Sequence, residues 1–297
     1  MFGLVDYAGL FPPASQEMRQ AVGSYASYLS GPDRAYLGRF IVPIGRLQEF
    51  SVATSDLLPG GPESEPWRLS VLLGGSTENI GDQLLSFNRA HLPGGDDGHA
   101  VVETVEAKAA TAAEIGAVRA AVPAQFVLYI EIPLGDDSPQ LVRAIGAAKA
   151  RAKVRTGGVT VDAFPRSRSL IDFIAACNRT HVAFKATAGL HHPLRGSYRL
   201  TYAPGSAKGT MYGYLNVFLA AAVLATGADE DVALQVLEES DPSAFSFGDE
   251  SIYWRDHEIM AADIRRVREN VAISFGSCSF REPVDEIAEL TSFTAHR

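Results

Sequence analysis

Short apolar runs rich in β-branched and aromatic residues alternate along the chain with longer segments whose apolar positions recur at helical spacing. That is the pattern of repeated β-α-β units around a parallel sheet. The spacing predicts strands near Gly3–Ala8, Leu37–Pro43, Trp67–Leu73, Ala100–Val105, Gln125–Ile132, Ala152–Thr156 and Val182–Thr187. Helices are predicted near Ser15–Ser30, Glu78–Ala90, Ala112–Ala121, Pro139–Ala150 and Arg168–Arg179, with small-residue faces suited to packing on a sheet. Ser15 ahead of Met18 and Thr77 ahead of Ile80 are weak N-cap candidates. An eighth strand has two candidates, Ala244–Gly248 and Val271–Gly276, on either side of a helix near Asp256–Arg268, and the second is preferred.

A chain of 297 residues with this alternation is expected to form one α/β domain over residues 1–297, a (β/α)8 TIM barrel. An open doubly wound sheet is the weaker alternative, because no Gly-rich fingerprint follows the first strand; Gly9-Leu-Phe-Pro12-Pro13 is a stiff turn. Residues 60–66 and 93–98 read as polar, turn-rich loops, not domain linkers.

Composition narrows the class. With 46% hydrophobic and 21% charged residues the chain can bury a large core. A formal charge of −9 with no basic, aromatic-interleaved run disfavours nucleic acid. The most apolar stretch, Tyr214–Thr226, falls short of the roughly 20 residues a membrane span takes and reads as a buried helix, so no membrane role is expected. The N-terminus lacks a signal peptide's pattern. Cys177 and Cys278, far apart, suit reduced thiols, Cys177 on a helix core face, and a cytoplasmic location. A homo-oligomer is left open.

In such a barrel the active site gathers at the C-terminal ends of the strands. There the sequence places Glu103, Glu106 and Lys108 on strand four, Glu131 on strand five, Lys153 and Arg155 on strand six, and Lys185 and Thr187 on strand seven. Alternation puts Lys153 with Arg155, and Lys185 with Thr187, on one face. A charge within an apolar strand is costly if buried without a partner, so Glu131, Lys153, Arg155 and Lys185 mark either a site, a buried salt-bridge network or outward-facing charges. Neighbouring cations and desolvation are expected to depress a lysine pKa, freeing an amine to attack a carbonyl as a Schiff-base nucleophile, with Glu131 as acid or base.

Two segments then resemble a known family. Lys153-Val-Arg-Thr156-Gly157 is similar to the Lys-x-x-Thr-Gly segment on strand six of deoxyribose-phosphate aldolases, and Lys185-Ala-Thr-Ala-Gly189-Leu resembles their Lys-Ala-Ser-Gly-Gly-Ile on strand seven. Phe275-Gly-Ser-Cys-Ser looks like the phosphate-binding end of their eighth strand. The resemblance covers about forty residues and implies a class I aldolase in which Lys153 forms the Schiff base and Lys185 tunes it. Arg155 replaces a small residue, His191-His192 stands where the family has Ile-Arg, and no strand-four residue stands out as the family's acid. The chain also resembles a group of bacterial barrels sharing its GLFPPA opening and KATAGLHHP core, a likeness that adds no mechanism.

The expected activity is therefore a carbon–carbon lyase using no cofactor. The catalytic candidates are Lys153, Lys185 and Glu131, and the substrate is a small anionic metabolite bearing phosphate or carboxylate. Its binding candidates are Arg155, Thr156, Gly157, Gly158, Thr187, Gly189, His191, His192 and Glu103. Which lysine is the nucleophile stays open, with Lys153 preferred. A divalent metal held by Glu103, Glu106, Glu131 and one of His191 or His192 is the alternative, and a non-catalytic ligand-binding barrel a third. His91, His99 and His296 are expected to be solvated and His181 to end a helix; His257 reads as a surface or loop residue. The segment Arg195–Thr210 is expected to be a mobile cover over the site.

Overall fold

The computed structural model describes residues 3–61, 63–75, 78–92 and 98–294. Eight parallel strands close into a barrel: β1 (Val5–Tyr7), β2 (Leu37–Pro43), β3 (Trp67–Leu72), β4 (Ala100–Lys108), β5 (Val127–Glu131), β6 (Arg151–Arg155), β7 (Phe184–Thr187) and β8 (Ala272–Ser277). Closure is made by β1 pairing with both β8 and β2. The α/β barrel expected from the alternation is therefore the fold. Of the two eighth-strand candidates Val271–Gly276 is the barrel strand, while Phe245–Phe247 edges a small antiparallel sheet with Ser251–Trp254 and His257–Met260.

The outer faces of the strands bury Phe40, Val42, Leu69, Val71, Val105, Leu128, Ile130, Val154, Phe184 and Phe275 almost completely. Ten helices surround the barrel among the described residues: α1 (Met18–Ser30), α2 (Leu47–Thr54), α3 (Ile80–His91), α4 (Ala112–Ala121), α5 (Ser138–Ala147), α6 (Ser167–Thr180), α7 (Tyr214–Ala225), α8 (Glu230–Glu238), α9 (Ala261–Asn270) and α10 (Arg281–Thr294). The first five residues of the helix expected over Asp256–Arg268 belong to a turn (Asp256) and the hairpin strand His257–Met260; the helix itself starts at Ala261. No described helix is long and apolar enough to cross a membrane, and α7, the most apolar, is buried along nearly its whole length.

Several local expectations change. The N-cap position of α1 is Glu17, not Ser15; Thr77 and His296 lie outside the described residues, as do Pro62 and residues 93–97 of the two polar loops. His91 and His99 are buried, not solvated: His91 stacks on Phe87 and its Nε2 lies 3.0 Å from Ser51 Oγ. His181 does end α6, in a left-handed conformation, and Cys177 is buried on that helix. The segment expected as a mobile cover is a two-stranded ribbon, Gly196–Arg199 against Lys208–Met211.

Candidate functional site

Strand register decides what meets inside the barrel. Lys108 lies opposite Glu131, Glu131 opposite Lys153, Lys153 opposite Lys185, and Lys185 opposite Ser274, so one level of the barrel carries a row of polar side chains across β4 to β8. Residues paired across parallel strands share a face, and here that face is the barrel interior, because groups from seven of the strands hydrogen-bond to one another.

The contacts form an alternating chain of charge. Lys153 Nζ lies 2.9 Å from Glu131 Oε2 and 2.8 Å from Glu106 Oε2. Glu106 in turn accepts from Lys185 Nζ at 2.7 Å through Oε1, and Lys185 donates at 2.5 Å to Asp6 Oδ2. Hydroxyls complete the ends: Thr104 donates to Ser70 (2.7 Å), Ser70 to Glu106 (2.6 Å), and Ser274 to Asp6 (2.9 Å). The backbone N–H of Arg39 donates to the other Asp6 oxygen at 2.8 Å. At the mouth, Arg155 Nε and Lys108 Nζ approach Glu131 Oε1 at 3.3 and 3.7 Å.

These partners set the ionisation states. Burial alone would lower the Lys185 ammonium, but Asp6 and Glu106 outweigh it and hold the group above the usual lysine range. This reverses the expected depression: the charges nearest Lys185 are carboxylates, not the second lysine. Burial likewise pushes Glu106 up, and Lys153 followed by Lys185 overcome it, leaving the carboxyl well below its usual range. Asp6 is held down against burial by Lys185 and Arg39, and Glu131 by Lys153, Arg155 and Lys108. Lys185 also lies 5.5 Å from the centroid of the Tyr129 ring.

A cavity of about 340 Å³ opens above this network at the C-terminal mouth, and Glu106, Lys153, Arg155, Gly158, Thr187, Gly189 and His191 line it. Lys185 does not, and only 1% of its side chain is exposed. Of the other expected site residues, Thr156 is fully buried and spends its hydroxyl on the Ala188 carbonyl at 2.6 Å, tying the end of β6 to the turn after β7. Gly157 and Gly189 serve close packing, since a Cβ at either would press on the Phe164 ring; Gly189 also has φ +73°.

Glu103 is not brought to the site. Register shifts between β3 and β4 so that Leu69 pairs with Val102 and Ser70 with Thr104, leaving Glu103 as the extra residue of a bulge. Its carboxylate pairs with Arg39 and Arg68 instead. The same bulge restores alternation to bring Thr104, Glu106 and Lys108 inward. His192 is also turned from the cavity, stacked on Tyr198 with Nδ1 2.8 Å from Glu286. His191 Nδ1 lies 3.1 Å from Glu282 Oε2, to which Tyr202 donates at 2.7 Å, so the ribbon is pinned at the edge of the mouth. The donor set considered for a metal is thereby dispersed, and among the described residues no group of three or more His, Cys, Asp or Glu side chains has the geometry to hold an ion.

Asp6 was missed by the sequence reading and Glu106 undervalued. Asp6 sits in the three-residue strand Val-Asp-Tyr, where an acid between apolar neighbours was the available signal. Compared with known proteins, the chain matches no family and no curated sequence.

Proposed function

We propose that this barrel is a carbon–carbon lyase of the aldolase kind whose nucleophile is Lys153, acting on a small carbonyl substrate that bears a carboxylate or phosphate. One observation carries the reading: of the two buried lysines, only Lys153 lines the cavity, and each of its carboxylate partners has a second cation. Glu106 keeps Lys185, and Glu131 keeps Arg155 and Lys108. Lys153 can therefore lose its proton without stranding a buried carboxylate. Lys185 is less free to do so, because its loss of charge takes from Asp6 its hydrogen-bonded ammonium and leaves Ser274, one backbone N–H and the Arg39 charge.

The chemistry then balances as follows. Lys153 gives up a proton that a neighbouring carboxylate relays to the carbonyl oxygen, the carboxylate ending the step ionised, and the amine adds to the carbonyl carbon. The former carbonyl oxygen is protonated and leaves as water while the C=N bond forms. The iminium receives the electron pair of the breaking carbon–carbon bond as the β-hydroxyl surrenders its proton to a base, releasing an aldehyde and leaving an enamine. His191, held by Glu282 on the same cavity, is the side chain offered for that proton. Protonation of the enamine carbon and hydrolysis of the iminium return the lysine. Glu106, on strand four between the two lysines, takes the place of the strand-four acid that the resemblance to deoxyribose-phosphate aldolases calls for.

The test is borohydride trapping with a panel of small aldehydes and keto acids, followed by peptide mapping. A reduced adduct on Lys153, lost in Lys153→Met, is expected. An adduct on Lys185 reverses the assignment. Saturable ligand binding with neither adduct nor turnover makes the barrel a binding protein.

A further inference from the structure

The cavity above Lys153 has two unlike walls, joined by an edge of Ala8, Gly276 and Cys278 at the ends of β1 and β8. On the β4 to β7 side it presents Glu106, Lys153, Arg155, Thr187 and His191. On the β1 to β3 side it presents Phe11, Pro12 and Pro13 from the turn after β1, Ile41 of β2 and Leu72 of β3, with no polar side chain among them. A sugar phosphate spanning this space would set hydroxyls or a phosphate against a wall that cannot hydrogen-bond to them, a desolvation cost without return. An alkyl or aryl group would gain from the same wall.

The polar side is also specific. Arg155 lies two residues beyond Lys153 on the same face of β6, and 48% of its side chain is exposed. Its contact with Glu131 uses Nε at 3.3 Å, and a guanidinium offers five N–H donors, so two parallel donors remain for a planar carboxylate.

We propose, resting on the Schiff-base reading above, that the substrate class is a short 4-hydroxy-2-oxo acid with an apolar tail, whose 4-hydroxyl is the one that surrenders its proton on cleavage and whose unhydroxylated analogues serve as binding probes. Its carboxylate sits on Arg155, its carbonyl carbon faces Lys153, and its tail lies against Phe11, Ile41 and Leu72. The walls that discriminate are the turn Phe11–Pro13 and the single guanidinium.

The test uses the full chain and a probe series: pyruvate, 2-oxobutanoate, 2-oxopentanoate, 4-methyl-2-oxopentanoate and phenylpyruvate, with acetaldehyde, 3-methylbutanal and glyceraldehyde 3-phosphate for contrast. Binding is read by calorimetry, and imine formation separately by borohydride trapping. Affinity is expected to rise about fourfold for each added CH2 over the straight-chain members, the value of burying one methylene. Phe11→Ser and Leu72→Ser should each flatten that slope. Arg155→Gln should weaken the oxo acids by about 10- to 100-fold, the range of a hydrogen bond to a charged group, while leaving 3-methylbutanal unchanged. Affinity independent of tail length, or glyceraldehyde 3-phosphate binding more tightly than every tailed acid, overturns the proposal. Tail-dependent binding with no trapped adduct would uphold the substrate class and remove the Schiff-base reading; an adduct on Lys153 with a flat series would do the reverse.

Discussion

Replacing Lys185 with methionine tests the electrostatic account of the barrel interior most directly. The side chain is fully buried and bonded to Asp6 and Glu106 at 2.5 and 2.7 Å, so Lys185→Met fills similar volume but removes the ammonium hydrogen-bonded to Asp6, leaving it Ser274, the Arg39 N–H and the Arg39 charge. Glu106 retains Lys153 and Ser70, so the loss falls mainly on Asp6. Removing one partner of a buried ion pair costs about 3–5 kcal/mol, a large part of the roughly 5–15 kcal/mol by which folded domains are stable.

The pH dependence follows from the signs of the shifts. In the wild type Asp6 and Glu106 are held below their usual range, so their contribution is present above the unfolded carboxylate pKa of about 4 and is lost as pH falls through the lower folded values. The raised Lys185 contributes throughout neutral pH and weakens only when pH climbs through its folded value. In the variant, burial without the ammonium moves Asp6 upward, so its penalty is full at pH 7.5 and is relieved as the carboxyl protonates toward pH 5. Urea unfolding at both values reads this. Adding Asp6→Asn should recover about 0.5–3 kcal/mol at pH 7.5 and little at pH 5. A loss below about 1 kcal/mol at pH 7.5, or an equal loss at both pH values, would refute the argument.

Other outcomes follow from the same contacts. Lys153→Met should abolish adduct formation and turnover yet destabilise less than Lys185→Met in the same unfolding assay, because Glu106 and Glu131 each keep a cation. Thr156→Val should cost about 1–3 kcal/mol by leaving the Ala188 carbonyl without its donor; a changed substrate affinity at unchanged stability would return Thr156 to substrate binding. Exhaustive chelation should leave turnover intact, and a loss restored by a divalent ion would revive the metal reading. Shortening the ribbon between Ser197 and Thr210 removes the Tyr198 stack on His192 and the Tyr202 bond to Glu282. Turnover should fall through His191, and kinetics identical to the wild type would detach the ribbon from the site.

The barrel was legible because its signal is periodic: seven apolar runs and the intervening helical segments fall within a few residues of the observed elements, and Ala112–Ala121 coincides with α4. The lysines, Arg155 and Glu131 were legible because charges in apolar strands are rare. Asp6 was not, since its strand has only three residues and its partner Lys185 lies 179 positions away, a closure contact invisible to local pattern. Glu103 misled for a related reason. Simple alternation along Ala100–Lys108 cannot reveal the bulge, and it is the bulge that sends Glu106 inward and leaves Glu103 to Arg39 and Arg68. The pKa direction failed at the same point: counting cations along the sequence showed the two lysines but not the carboxylates standing between them.

What the interior row contributes is better judged against an ordinary barrel, whose strands fill the centre with layers of Val, Ile and Leu. Buried ion pairs seldom stabilise a fold more than apolar groups of equal volume. Here the apolar work is done on the other face of the strands, where Phe40, Leu69, Val71, Ile130, Val154, Phe184 and Phe275 pack beneath the helices. The arrangement of the charged layer isolates one amine at a cavity while fixing the charges around it: Lys185 by Asp6 and Glu106, Glu131 by Arg155 and Lys108. Of the two buried lysines, Lys153 is the one that reaches a cavity and whose carboxylate partners each keep a second cation, and that asymmetry is what the proposed chemistry draws on.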